Sequence, residues 1–310
     1  MRWIAALAED DPIGKAVAGL VARYRVTDGE KFRIVDHATD DKAGLDKVTA
    51  KRFVKARRHH LAVLQENFAA ARTRGIVVVL QGMDTAGKDS LIRHVMSGMN
   101  PQGTDVTSFK APTPEEQAHD FLWRVHAAAP PRGKVGVFNR SHYEDVLVAR
   151  VHAERLAMDG LPGDPSHPEF WDRRLEDIRH FEQYMTRQGF LFLKIFLHIS
   201  FDEQRRRILR RLDRPEKRWK FDEGDLVERQ FWPRYQVAYE EAIRATATED
   251  APWLVVPSDH KWLSRLVTME ALVGCLESLN PEPPPATSDL VRKIAEFRRA
   301  LEKDTIVHPA

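Results

Sequence analysis

The chain has 310 residues, of which 43% are hydrophobic and 30% charged, the balance of a folded water-soluble protein and not of a disordered one. Its 48 Lys and Arg nearly cancel 46 Asp and Glu, so net charge alone points to neither nucleic acid nor a membrane; any anion specificity must come from where the charges sit. The single cysteine, Cys275, excludes an intramolecular disulfide and a multi-cysteine zinc site, and in its apolar helical pattern it reads as buried filler.

The apolar stretch Met1–Ala8 is too short for a secretion signal and runs into Glu9-Asp10-Asp11-Pro12. The most apolar window, Phe190–Phe201, contains Lys194 and is too short to span a bilayer. A soluble, cytoplasmic protein is expected. Residues 1–75 read as an N-terminal extension: a polar, irregular wrap over 24–50, then a helix over Lys51–Arg74 with Phe53, Ala56, His60, Val63, Leu64 and Phe68 on its stripe.

Five β-rich runs follow: Ile76–Leu80, Asp105–Phe109, Val135–Phe138, Phe190–Ile199 and Trp253–Val256. Several are continuously apolar, as strands buried on both faces are. Helical periodicity fills the gaps at Ser90–Met99, Pro114–Ala128, Glu169–Arg187, Asp202–Leu212, Asp225–Thr246 and Lys261–Leu279. Strands alternating with helices predict an α/β fold, a three-layer sandwich around a five-stranded parallel sheet, as one domain over residues 1–280. Pro281–Pro285 begins a stiff linker, 281–287, and Ser288 caps a last helix, 288–303. Its stripe of Leu290, Ile294, Phe297 and Leu301 either packs on the core or meets another subunit. There are no internal repeats.

The first run ends in Gly82-Met83-Asp84-Thr85-Ala86-Gly87-Lys88-Asp89-Ser90 and then an apolar helix. A glycine-rich loop between strand and helix turns backbone N–H groups toward an anion, with Lys88 to neutralise phosphate oxygens. The loop residues Gly82, Thr85, Ala86, Gly87, Lys88, Asp89 and Ser90 are therefore candidate phosphate ligands. Asp89 displaces the hydroxyl that usually binds Mg²⁺ in such loops to Ser90. Asp84 stands beside the expected polyanion, where two unit charges at 4 Å repel by roughly 4 kcal/mol at an effective dielectric of 20. It is thus expected to hold Mg²⁺ against phosphate or to accept a proton from the attacking group.

The third run ends in Asn139-Arg140-Ser141-His142-Tyr143-Glu144-Asp145, at the same crevice as the loop. Arg140 can clamp phosphate, Glu144 and Asp145 can bind metal or shape the acceptor pocket, and Arg150 is a second phosphate ligand. Lys110, after the second run, is placed for the acceptor, and Thr113 with Glu116 has capping-box spacing. Beyond the fourth run comes an arginine series. Read as a helix, Arg207, Arg210, Arg211 and Arg214 share a face while Ile208, Leu209 and Leu212 turn inward. With no acidic residue between Arg205 and Leu212, a helical lid over about 202–224 that closes on phosphates is expected. A solvated face and a nucleic-acid patch are the alternatives.

Together these segments resemble the polyphosphate kinase 2 family of thymidylate-kinase-like P-loop kinases. The resemblance runs from about residue 25 to Pro281 and includes Gly82–Lys88, Ser108–Thr113, Phe138–Asp145 with Arg150, Trp171 with Phe181-Glu182, Pro215–Phe221 and Pro257–Trp262. It implies phosphoryl transfer between inorganic polyphosphate and adenine nucleotides, dependent on Mg²⁺ or Mn²⁺. Asp84, Lys88, Arg140, Arg207 and Arg211 match the family's catalytic positions; Lys110, Asn139, Arg140, Glu144 and Arg150 would face the nucleotide. Asn139 departs from an Asp found in many members, which shifts metal binding toward Asp84 and Glu144. Glu144 is similar to the subgroup that phosphorylates both AMP and ADP, whereas ADP-restricted members tend to carry Asn. The partners implied are polyphosphate, AMP, ADP and ATP, without nucleic acid or membrane, in a homo-oligomer. The competing readings are an ATP-dependent nucleoside monophosphate kinase and a polyanion-binding protein without turnover.

Overall fold

The computed structural model describes residues 12–156, 163–216 and 224–303. Its strands are β1 (Arg25–Val26), β2 (Gly75–Gln81), β3 (Thr104–Ser108), β4 (Val135–Asn139), β5 (Phe190–His198) and β6 (Trp253–Pro257). They form one sheet in the order β1-β6-β5-β2-β4-β3, parallel throughout except for β1, which runs antiparallel to β6. All five expected strands are present. The expected count of five is corrected to six by β1, which pairs only Arg25 with Leu254 and Val26 with Trp253, too short for any periodicity to reveal. β2 is buried along its whole length, as its run of β-branched residues requires of a strand covered on both faces.

The helices are α1 (Pro12–Arg23), α2 (Lys47–Ala71), α3 (Lys88–Val95), α4 (Pro114–Gln117), α5 (Trp123–Ala127), α6 (Val148–Val151), α7 (Ala153–Leu156), α8 (Pro168–Arg187), α9 (Phe201–Leu212), α10 (Gly224–Gln230), α11 (Trp232–Thr246), α12 (Lys261–Leu279) and α13 (Ser288–Glu302). Two expected helices are each split, one between α4 and α5 and the other at Phe231 before Pro233. Thr113 closes the expected capping box with Glu116 at the start of α4.

The N-terminal segment contributes to the core. Val17, Leu20 and Val21 of α1, and Leu61 and Phe68 of α2, join the same apolar cluster as β2, β5 and α12. The buried face of α2 is Ala50, Phe53, Val54, Leu61, Gln65 and Phe68, rotated from the expected stripe. Val63 is 43% exposed, and His60 faces Glu277 at 2.7 Å. Cys275 is buried, with its thiol pushed up to about 12 by desolvation. No described helix is long and apolar enough to cross a membrane. The C-terminal helix is not packed on the core: no residue of α13 is buried, and Leu290, Ile294, Phe297 and Leu301 are between 48% and 78% exposed. Its cap is Thr287 rather than Ser288, the Thr287 hydroxyl accepting from the Leu290 N–H at 3.2 Å.

A charged cluster sits inside this core. Lys194 of β5 donates to Glu182 of α8 at 2.6 Å, to the Tyr143 hydroxyl at 3.2 Å and to the Thr246 carbonyl at 2.8 Å. Tyr143 donates to Glu182 at 2.8 Å, and Trp253 donates to Thr246 Oγ1 at 2.9 Å. Burial pushes the Glu182 carboxyl up, but Lys194 and His142 outweigh it and hold the group below its ordinary value. Breaking a buried pair leaves an uncompensated charge. Lys194→Met should therefore lower the unfolding free energy by about 3–5 kcal/mol in urea titrations. Pairing it with Glu182→Leu should cost less than the single change.

Candidate active site

The Gly82–Ser90 loop joins β2 to α3, and its backbone is held open from outside. Gly82 and Gly87 have φ of 150° and 120°, and a Cβ at Gly82 would lie 2.8 Å from the Leu197 carbonyl. The loop carbonyls are taken up one by one: Gly82 by Lys88 Nζ at 2.5 Å, Asp84 by Gln204 Nε2 at 3.1 Å, Thr85 and Ala86 by Arg207 Nη1 at 3.1 and 2.7 Å. Side chains of α9 thus fix the loop from Asp84 to Ala86 just ahead of the α3 N-terminus, where a helix start favours an anion. Lys88 is half-buried, and desolvation, partly offset by Asp84, lowers its ammonium from the ordinary lysine value.

The turn after β4 closes the other side. Asn139 Nδ2 donates to Asp89 Oδ1 at 3.0 Å. Arg140 reaches Asp84 at 3.2 Å and Glu144 at 3.5 Å, so both carboxylates converge on one guanidinium. Burial raises the Glu144 carboxyl above its ordinary value, against the pull of Arg140 and Lys88. Thr85 and Arg140 both hold left-handed φ, 62° and 63°, a strain of about 1–3 kcal/mol each that concentrates at this crevice. Oxygen atoms are left over here: Thr85 Oγ1 and Asn139 Oδ1 are buried without a hydrogen-bond partner.

The remaining sequence candidates are distributed more widely. Arg207 is only 5% exposed and spans β2 and β6: besides the loop carbonyls it binds the carbonyls of Ser258 and, at 3.2 Å, Asp259, with Glu203 at 2.9 Å. This corrects the shared arginine face, because burial of a guanidinium needs its N–H groups satisfied and these carbonyls satisfy them. Glu203 also takes Arg206 at 2.8 Å and Arg210 at 2.7 Å, so an acidic residue just ahead of the run neutralises part of it. Leu209, expected inward, is 48% exposed. Arg211 is half-buried, and Lys217–Phe221 of the expected lid lies outside the described residues. Lys110 is exposed, and Arg150 pairs with Glu241 and lies over Trp171. Asp145 is taken by Arg124 at 3.0 Å. Ser90 Oγ accepts from Arg265 at 2.9 Å.

Gln204, Arg124, Tyr239 and Arg265 were not singled out in the sequence, since each is an ordinary helix residue until folding brings it to the loop ends. The Tyr239 phenol, bonded to the Gly82 backbone, is raised well above its ordinary value by burial and then by Glu144 and Asp84. A cavity of about 790 Å³ lies beside α9, lined by Lys42, Arg206 and Arg210 together with Asp40, Glu203, Asp213 and Asp259. Its mixed charge suits a polyanion less well than the loop does.

A glycine-containing loop at a helix start, a lysine, and a guanidinium joining two carboxylates come together at the carboxyl ends of a parallel sheet, the place where open α/β folds bind ligands. The Polyphosphate kinase 2 family model matches residues 44–284, and the chain belongs to that family. It is 43% identical over 274 residues to an AMP/ADP-polyphosphate phosphotransferase of Meiothermus ruber, covering 87% of this chain and 98% of the relative. It is 41% identical over 283 residues to an ADP-polyphosphate phosphotransferase of Rhodopseudomonas palustris, covering 91% and 98%. The crystal structure of Polyphosphate Kinase 2 from Arthrobacter aurescens TC1 superposes with a TM-score of 0.81 at 40% identity, over 89% of this chain and 95% of that one.

Arg207→Met should lower the unfolding free energy by about 2–4 kcal/mol, because it leaves loop carbonyls and Glu203 without their donor. Lys88→Ala should abolish turnover while shifting the unfolding midpoint far less. Chemical denaturation and initial rates on the same preparations separate the two.

Proposed function

We propose that the chain transfers phosphoryl groups between inorganic polyphosphate and adenine nucleotides, AMP to ADP and ADP to ATP, reversibly. The observation that carries the reading is the convergence of Asp84 and Glu144 on Arg140 beside the Lys88 loop, in a chain of this family. In the forward direction a nucleotide phosphate oxygen attacks the terminal phosphorus of the donor in line. The bridging P–O bond breaks, and a polyphosphate shorter by one phosphate leaves. Lys88 and the loop amides hold the donor phosphates; Arg140 takes up charge at the transferring group, and Arg211 adds to this from α9 as the retained lid arginine. Arg207 acts by positioning the loop.

The residues present fit Mg²⁺, with Mn²⁺ as a substitute. Asp84 and Glu144 are hard oxygen donors facing one cation, and unpartnered oxygens of Thr85 and Asn139 stand nearby in the chain. Asp84, with Glu144 as a second ligand, would hold the ion, which supplies charge neutralisation between carboxylate and phosphate. Ser90 is a poor ligand because Arg265 already donates to its hydroxyl. We read residues 1–280 as one catalytic domain, 281–287 as linker and 288–303 as an appended helix, through which the chain self-associates.

The acceptor assignment rests on Glu144, since the two relatives differ in the nucleotides their names carry. Incubating the protein with Mg²⁺, AMP and polyphosphate should yield ADP first and ATP later by anion-exchange chromatography. Product formed only when ATP replaces polyphosphate would instead make it a nucleoside monophosphate kinase. Glu144→Asn should suppress use of AMP while retaining use of ADP.

A further inference from the structure

The loop contains one tight turn whose form does not suit its own sequence. The Ala86 N–H donates to the Met83 carbonyl at 3.0 Å, which closes a β-turn with Asp84 and Thr85 as its central residues. Thr85 has φ of 62°, and Asp84 is not among the residues of positive φ. That is the type II pattern, whose third position calls for glycine or asparagine. A β-branched residue is strongly disfavoured there. The type I form, with negative φ at both central residues, would suit Thr85 and differs mainly by a flip of the Asp84–Thr85 peptide.

What holds that peptide comes from α9 and α10. Gln204, 1% exposed, donates from Nε2 to the Asp84 carbonyl at 3.1 Å. Its Oε1 accepts from Arg229 Nη1 of α10 at 2.6 Å. Arg229 also donates to the Phe201 carbonyl at 2.9 Å, and its guanidinium carbon lies 3.4 Å from the centre of the Phe201 ring. A guanidinium only donates and a carbonyl only accepts, so the amide of Gln204 is fixed in one orientation. A trans peptide points its N–H opposite to its C=O. With the Asp84 carbonyl taken by Gln204, the Thr85 N–H is turned away from that side chain, and a flip would reverse it.

We propose that Gln204 is a positioning residue for phosphoryl transfer: it selects the type II turn, and thereby the direction of the Asp84–Thr85 peptide in the phosphate loop. Arg229 acts behind it by fixing the amide. The inference rests on the reading of this loop as the site of the donor phosphates. A flipped peptide would present its carbonyl oxygen where its N–H had been, and so repel a phosphate instead of binding it. The flip rotates only the backbone between Asp84 and Thr85 and leaves the turn after β4, on the acceptor side, untouched.

The test uses the full-length protein with Gln204→Glu, which keeps a partner for Arg229 and removes the donor to Asp84, and with Gln204→Met, which removes both. Initial rates are measured with Mg²⁺, ADP and polyphosphate, each substrate varied in turn. In Gln204→Glu, kcat/KM for polyphosphate should fall about tenfold, the loss of one hydrogen bond of ordinary strength, with KM for ADP unchanged. Arg229→Met should lower the same parameter by a smaller factor. Glycine takes up positive φ as readily as negative, so in a Thr85→Gly background Gln204→Glu should cost much less. A packing defect would cost the same in both backgrounds. Unchanged donor kinetics in both Gln204 variants, an equal loss in the two backgrounds, or a matching rise in KM for ADP would overturn the positioning role alone. A wild type that makes no ATP from ADP and polyphosphate would overturn the donor reading and the positioning role together.

Discussion

The guanidinium of Arg207 is the contact on which the crevice depends. It reaches from α9 to the carbonyls of Thr85 and Ala86 after β2 and to those of Ser258 and Asp259 after β6. These loop ends come from separate strands, and no regular hydrogen-bond ladder joins them. A buried planar donor group with several N–H vectors can tie them together where an ammonium could not. With its Thr85 and Ala86 carbonyls engaged in this way, the loop is held in place ahead of α3 and needs less reorganisation when an anion arrives.

The crevice is also a place of balanced cost. Left-handed backbone at Thr85 and Arg140, a desolvated Lys88 and a carboxylate raised by burial at Glu144 each oppose stability. They are held by the surrounding structure: Asn139 to Asp89, Arg140 to both carboxylates, and Arg124 from Asp145 to the Lys110 carbonyl. In the proposed reaction, phosphate and a divalent cation would supply the charges that this arrangement leaves partly uncompensated.

Behind the site, the buried Lys194–Glu182 pair is linked to function through one residue. Tyr143, hydrogen-bonded to both, directly precedes Glu144 in the turn after β4. A core ion pair is thereby tied to the largely buried crevice carboxylate that follows Tyr143, and the same network reaches Trp253 of β6 through Thr246. Specificity of packing is a use to which buried charges are suited, since a mispaired alternative would bury them uncompensated.

The order of strands and helices, the glycine loop, the Arg140–Glu144 turn and the capping box at Thr113 were legible in the sequence. Each is a local pattern whose spacing dictates its own geometry. Strand β1 was not legible, because two residues carry no period, and α2 was read on a rotated face because its buried side includes a polar residue, Gln65, that apolar periodicity passes over. The arginine run shows the limit most clearly. Periodicity placed Arg207 among its neighbours on an outward face, whereas the fold buries it and leaves Arg206 and Arg210 outside on Glu203. Arg265, remote from the loop in sequence, meets it only because α12 packs on α3. Local composition determines which residues can bind phosphate; only tertiary structure decides which cations are consumed by carbonyls and carboxylates and which are left for a ligand, since that depends on contacts between distant segments.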